Sequence, residues 1–433
     1  MKSYKLLVPV ILVVAMLGSI YMLYDARSQV QAEYDEAVKA ARQYVKDGID
    51  KYAIENYETA LDIKPSEDLY YEFAAYYYNK QDYKHAMSVC SDIMEEYPKY
   101  AKGYELAMDM DLERKSYSSC FELYEVYKKR SDHSDKIEKI MEDIKYTYYL
   151  KSTFSNVGVY CGGYCIMQQE DMWGYVNTSG NVEIDAKYVY AGPMADGYAA
   201  VIDQDGYAYF IDESGEKVKY IKALPSANAL GILSGDVCTA YDGKEWAIYN
   251  VEKGKISDGY DYASSINLDT IAVEKDGKWS IVDSDGKELS SEKYDEIYVD
   301  EKDIAYRNER LFVKQDGSYY MIDNSGSKIT DEAFEDAVLF ADATYAAVKK
   351  NGKWGFIDSE GKWVIEPAYD NARSFSNGFA AVEKDGKWGF IDSDNKLCID
   401  YTFDDAKDFT DAGSVYVKDG EDWSLLKLYS YDN

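Results

Sequence analysis

The side chains able to do chemistry are few in kind. Two histidines, His85 and His133, are the only imidazoles in 433 residues. Neither sits in a recognisable motif with a cysteine or serine nucleophile. The 80 carboxylates are too abundant for one acid–base pair to stand out. With no paired catalytic constellation, the chain is not expected to be an enzyme, and a hydrolase hidden among the carboxylates is the least favoured reading. Asp283-Ser284-Asp285-Gly286, Asp358-Ser359-Glu360-Gly361 and Asp392-Ser393-Asp394-Asn395 share their spacing with fragments of calcium loops. A full loop needs ligands out to a glutamate at its twelfth position, between two helices. That context is missing, and Asp and Gly at these offsets are what tight turns require. No metal and no cofactor is expected. Cys161 and Cys165 have a C-x3-C spacing that allows a local disulfide. Cys90, Cys120, Cys238 and Cys398 are isolated and read as buried thiols, and no zinc spacing appears.

Tryptophan is the remaining candidate, and its spacing is regular. Gly352-Lys353-Trp354-Gly355-Phe356-Ile357-Asp358 returns as Gly386-Lys387-Trp388-Gly389-Phe390-Ile391-Asp392 and, less closely, as Gly277-Lys278-Trp279-Ser280-Ile281-Val282-Asp283. Trp173, Trp246 and Trp423 head weaker copies, while Ala208 and Tyr319 stand in the tryptophan position of two more. The eight registers are spaced 35, 38, 33, 40, 35, 34 and 35 residues apart. This array, over residues 151–433, is similar to the bacterial WG-repeat (KWG) family. The resemblance implies a repeated all-β domain, common on secreted or membrane proteins, with no established activity.

Each unit reads as short strands joined by Asp-Gly turns, a strong hairpin signal. Strands this short must stack or close into a ring. The period suits an eight-unit β-propeller of four-stranded blades, and an open β-solenoid is the alternative. The chain stops soon after Trp423, so the last unit lacks outer strands. Residues 146–156 can supply them and close the ring. Tryptophans at one strand position in every unit (Trp173, Trp246, Trp279, Trp354, Trp388 and Trp423) are expected in the core between units. Trp363 lies outside the register and is the candidate ligand contact, its flat ring suited to stacking on a sugar.

Residues 26–150 have a different composition, rich in Ala, Glu, Lys, Tyr and Leu with helical apolar spacing. Tyr57, Ala60 and Pro65 align with Cys90, Ile93 and Pro98; Asp82, Tyr83 and Ala86 align with Ser116, Tyr117 and Cys120. This 33–34-residue period resembles tetratricopeptide repeats, which stack helix pairs and leave a groove for a peptide or partner. The glycine usual in the first helix is missing, with Ala74 and Ala75 in that neighbourhood.

Residues 1–25 hold an uncharged, mostly apolar run, Leu6 to Tyr24, long enough to span a bilayer. Lys2 and Lys5 precede it, which places the N-terminus in the cytoplasm and residues 26–433 outside. A cleaved signal peptide is the competing reading, but Leu17-Gly18-Ser19 puts a large residue at the −3 position. The formal net charge of −32 excludes a nucleic-acid binder that works by phosphate neutralisation. Residues 151–433 carry 53 acidic and 28 basic side chains, enough to keep that portion off anionic lipid. The expected function is a membrane-anchored, extracytoplasmic scaffold that binds protein partners. Recognition of a glycan or cell-wall polymer by the β domain is the alternative.

Overall fold

The computed structural model describes residues 4–222, 224 and 226–431, with Met16 and Met22 the only side chains described before residue 27. The chain divides into two compact units at Thr147/Tyr148. The first is helical: α1 (Tyr4–Asp47), α2 (Asp50–Ile63), α3 (Glu67–Asn79), α4 (Tyr83–Glu96), α5 (Ala101–Glu113), α6 (Tyr117–Arg130) and α7 (Asp135–Ile144). The expected anchor at Leu6–Tyr24 has a helical backbone, but apart from Met16 and Met22 the side chains that define it lie outside the described residues. Among the described residues, no helix is long and apolar enough to cross a membrane.

The helices repeat for local reasons. Ser66, Asp82 and Ser134 cap α3, α4 and α7, accepting from the amides of Leu69, His85 and Ile137. The turns after α1, α3 and α5 each place one residue in the left-handed region: Gly48 (φ 71), Gln81 (φ 59) and Lys115 (φ 56). The next amide then reaches back to close the turn, Ile49 to the Tyr44 carbonyl, Asp82 to Tyr77 and Ser116 to Asp111. The same closure therefore recurs at the period seen in the sequence. Small buried residues let the helices approach. Ala53, Ala60, Ala74 and Ala86 are fully buried, and a Cβ on Gly103 of α5 would lie 2.6 Å from Cγ2 of Ile93 in α4.

The second unit, Tyr148–Tyr431, is a ring of eight antiparallel sheets. We call them blades 1 to 8, over residues 156–188, 190–219, 229–255, 262–282, 296–322, 336–369, 371–403 and 405–428. Blade 8 is completed by strand Tyr148–Phe154, which pairs with Asp422–Leu428 from Tyr148↔Leu428 to Phe154↔Trp423. The start of the unit thus supplies the outermost strand of its end. Val157, Met167 and Val176 of blade 1 share a core with Tyr416, Trp423 and Leu425 of blade 8. The ring is closed, and the open solenoid is not what forms.

Blade 7 shows how the repeat folds. Phe379–Lys384 pairs with Lys387–Asp392 through Asp385 (φ 54) and Gly386 (φ 78), the two left-handed residues of a type I′ hairpin. Gly389, next to Trp388, faces the outer strand Leu397–Phe403, and a Cβ there would lie 2.6 Å from the Ile399 carbonyl oxygen. Gly174 and Gly355 are in the same position, each 2.5 Å from a carbonyl oxygen. Blades 1, 6 and 7, which carry this glycine, have seven-residue outer strands. Blades 2 to 5 carry Tyr209, Ala247, Ser280 and Tyr320 instead. Their outer strands shrink to three residues, to two, and in blades 4 and 5 to isolated bridges such as Trp279↔Tyr294 and Tyr319↔Phe334. In these three blades the glycine gives the outer strand room to cross close over the tryptophan strand; blade 8 has Ser424 there and still takes the seven-residue Tyr148–Phe154, with a register shift between Lys151 and Thr153.

Candidate functional site: a charged cavity inside the ring

The short first strands of the blades converge inside the ring, beside a 540 Å³ cavity lined from blades 1, 5, 6, 7 and 8. A loop unlike that of any other blade enters it. Between Glu296–Ile297 and Leu311–Gln315, blade 5 extends residues 299–304 inward, and Ile304 bridges Ser265 of blade 4. Asp300 folds the loop on itself by accepting from the amides of Lys302 and Ile304, both at 2.9 Å. Asp303 ties it to blade 4 by accepting from the Tyr262 hydroxyl and from the amide and hydroxyl of Ser265.

Glu301, at the tip, reaches two other blades. Its Oε1 accepts from Nη2 of Arg373 in blade 7 and its Oε2 from Nζ of Lys407 in blade 8, both at 2.9 Å. Burial opposes ionisation of this carboxyl, but the charges of Arg373 and Lys407 outweigh it and pull it down to about 2. Burial instead pushes up the carboxyl of Asp300. It also raises Asp303 to about 6, against the hydrogen bonds from Tyr262 and Ser265. The lining carries six carboxylates against three cations, Lys302, Arg373 and Lys407. The arrangement can hold a ligand of mixed charge; the buried carboxyls spend their oxygens on the loop.

Of the repeat tryptophans, Trp354, Trp388 and Trp423 are buried, while Trp173, Trp246 and Trp279 are half-buried. Two approach the cavity: Trp388 lines it, and Lys407 Nζ lies 5.4 Å from the Trp423 ring centre. Trp246 and Trp279 flank Tyr262 in a run of aromatic contacts that reaches Asp303. Trp363 lies elsewhere, on the outer strand of blade 6. It is half-buried, packs edge-on against Phe334, and its Nε1 donates to Glu332 at 2.9 Å. The deepest core lies two residues past the tryptophan register, where Tyr175, Phe210, Ile248, Ile281, Met321, Phe356 and Phe390 are all fully buried.

Cys161 and Cys165 are both free thiols. In their hairpin Cys161 faces Tyr164 and Cys165 faces Tyr160, so the two sulfurs leave opposite faces of the sheet and the C-x3-C spacing makes no bridge. The Asp-x-x-Gly segments are turns. Asp358 accepts from the amides of Glu360 and Lys362, and Asp283 and Asp392 repeat the pattern. A second device joins neighbouring blades. The lysine before the tryptophan pairs with an aspartate ahead of the next blade, Lys278 with Asp295, Lys353 with Asp370 and Lys387 with Asp404. The same aspartates accept from the next hairpin turn, at Asp316, Asp385 and Gly420.

Sequence reasoning missed Glu301, Arg373 and Lys407. The available signal was the 40-residue gap between registers 279 and 319, the longest of the seven, which marks the inserted loop.

Among solved structures the chain is similar to BamB from Moraxella catarrhalis, at 11% identity and a TM-score of 0.41 over 65% of this chain and all of that one. It is also similar to a eukaryotic initiation factor, at 14% identity and a TM-score of 0.40 over 58% of this chain and 77% of that one. Hsv2 from Kluyveromyces lactis matches at 8% identity and a TM-score of 0.33 over 64% of this chain and 97% of that one. No curated protein sequence matches the chain. Residues 173–207, 321–354, 354–388 and 388–421 match the family model described as WG containing repeat.

Proposed function

We propose that this chain is a non-enzymatic binding protein, anchored in the membrane by Leu6–Tyr24, whose extracytoplasmic portion recruits protein partners. The cavity carries the reading. Its volume, 540 Å³, is that of a ligand site, and its lining, drawn from five blades, offers opposed charges from blades 5, 7 and 8. The helical unit is read as tetratricopeptide-like, which its recurrent helix-pair turns support, and it would add a second contact surface. Capture from surface extracts by residues 26–433, beside residues 148–431, tests the assignment. A protein retained by either supports it, and loss with the shorter chain assigns the contact to the helices. Capture of a polysaccharide and no protein refutes it. The glycan reading rests on Trp363, whose ring is only partly buried on an outer strand. Under that reading Trp363→Ala abolishes polysaccharide capture, whereas protein capture is unchanged.

A further inference from the structure

We propose that Arg373 and Lys407 form a receptor for a carboxylate carried by a partner peptide, and that Glu301 fills it in the resting protein.

The two cations are the fixed members of the site. Arg373 follows strand Asn371–Ala372 and its amide donates to the Ala381 carbonyl; Lys407 follows Asp405–Ala406 and its amide donates to Tyr416. Their side chains are 21% and 19% exposed, whereas that of Glu301 is 48% exposed. The anion is therefore the member that can leave, and it leaves on a loop rather than a strand. It is also an incomplete ligand. Glu301 takes only Nη2 of Arg373, and Arg373 Nε is buried with no partner. A guanidinium normally grips a carboxylate through two nitrogens, so an incoming carboxylate gains a donor that Glu301 leaves unused.

The surroundings narrow the ligand. Asp408, Glu301 and Asp405 all raise the Arg373 guanidinium against the cost of its burial. A purely anionic ligand meets Asp405 and Asp408 and is repelled. A carboxylate with a basic group close by satisfies both signs, which points to a peptide segment pairing an acidic group with a lysine or arginine. Glu301 competes as a tethered group at high local concentration. Its release is the step that sets apparent affinity, because only the fraction of molecules with the receptor open binds.

The proposal rests on reading the propeller as a partner-binding module, and calorimetric titration of the full chain tests it. The probes are N-acetyl-lysyl-glutamate amide, with a side-chain carboxylate, and N-acetyl-lysyl-glycine, with a terminal one. N-acetyl-lysyl-glutamine amide is the carboxylate-free control. Glu301→Ala is expected to bind at least one acidic probe about tenfold or more tighter than the unaltered chain, and to leave the control unbound. Adding Lys407→Met, which keeps the stem beside Trp423, is expected to remove that binding. Glu301→Gln, of native shape, guards against a folding defect and is expected to shift the same way by less. Which probe binds identifies the source of the carboxylate. Equal affinity of Glu301→Ala and the unaltered chain, equal binding of the control, or binding that survives Lys407→Met overturns the proposal. Tighter probe binding without any captured protein refutes the partner reading alone and leaves the receptor standing.

Discussion

Asp303 gives the sharpest test of how the loop is held. Its backbone is left-handed (φ 63), a conformation asparagine tolerates nearly as well, so Asp303→Asn keeps the loop and removes the charge. Burial raises the carboxyl from its ordinary 3.8 to about 6, with Asp300 adding to the rise and Tyr262 and Ser265 opposing it. Between those two values the unfolded chain releases its proton while the folded chain holds it. The stability this group contributes is therefore present below pH 3.8, falls as pH rises through about 6, and is constant above. Such a shift corresponds to about 3 kcal/mol, and water at the half-buried carboxylate trims it to about 2 kcal/mol. The asparagine amide must face a donor, Tyr262 or Ser265, which adds a constant offset that does not vary with pH. The prediction is thus a slope: the stability of Asp303→Asn relative to the unaltered chain improves by about 2 kcal/mol between pH 4 and pH 7. Urea unfolding followed by tryptophan fluorescence measures it, because all 7 tryptophans lie in the propeller. A difference flat to within about 0.5 kcal/mol, or one sloping the other way, refutes a carboxyl held protonated by burial.

Gly389→Val is expected to destabilise the propeller by about 1–3 kcal/mol, because its side chain meets the Ile399 carbonyl; the same substitution at Ser280, where the outer segment is held only by the isolated bridges Trp279↔Tyr294 and Val282↔Glu288, is expected to cost less than half as much by urea unfolding. A chain beginning at Tyr148 is expected to melt cooperatively by calorimetry. One beginning at Ser155 lacks the closing strand, exposes the edge of Asp422–Leu428, and is expected to aggregate on light scattering. Gln81→Gly, at φ 59, relieves a left-handed residue and is expected to gain about 0.5–1 kcal/mol in thermal unfolding of the helical unit. Glu301 is pulled down to about 2, so its contribution is present above 4.5 and lost as pH falls toward 2. Glu301→Gln should therefore lose less stability than the unaltered chain over that window, read from melting temperatures.

The ring was legible in the sequence because its determinants are local and repeated. Asp-Gly turns close most of the hairpins, the Trp register marks the repeat, and the 146–156 segment resembles a strand the last unit lacks. The helical period was legible for a similar reason, since the turns at Gln81 and Lys115 recur 34 residues apart. Other features depend on partners far along the chain. Arg373 and Glu301 are 72 residues apart and Lys407 is 106 from Glu301; no local pattern marks three charged residues among 128 as neighbours. The role of the glycine after tryptophan was equally hidden. Its space is filled by a strand about ten residues later, so the link between Gly174, Gly355, Gly389 and full outer strands appears only once the blades are paired. Cys161 and Cys165 show the reverse case, a spacing that looks chemical until strand pairing sends the two sulfurs to opposite faces.

The 46 tyrosines, a composition signal with no function attached, have a physical account in the net charge of −32. With 80 carboxylates and 48 cations, many acids must find uncharged donors. Tyrosine supplies one while burying an apolar ring. Tyr57 donates to Glu72, which Arg42 also grips, and Tyr76 donates to Asp50. Tyr78 and Tyr83 share Glu113, and Tyr100 and Tyr124 donate to Asp68 and Glu138. In the ring, Tyr160, Tyr262 and Tyr319 hold Asp411, Asp303 and Glu296. A lysine in these places would bring a charge that stays strongly hydrated and resists burial, whereas a phenol joins the core and still makes a charge-assisted bond. The bonds act on both partners. Glu113 is held below its usual range by the Tyr78 and Tyr83 hydroxyls, and Tyr78 and Tyr124 are pushed up to about 12, first by their carboxylate partners and then by burial. An acidic surface and a packed interior are compatible here because the donor most used between helices is also one of the largest apolar side chains.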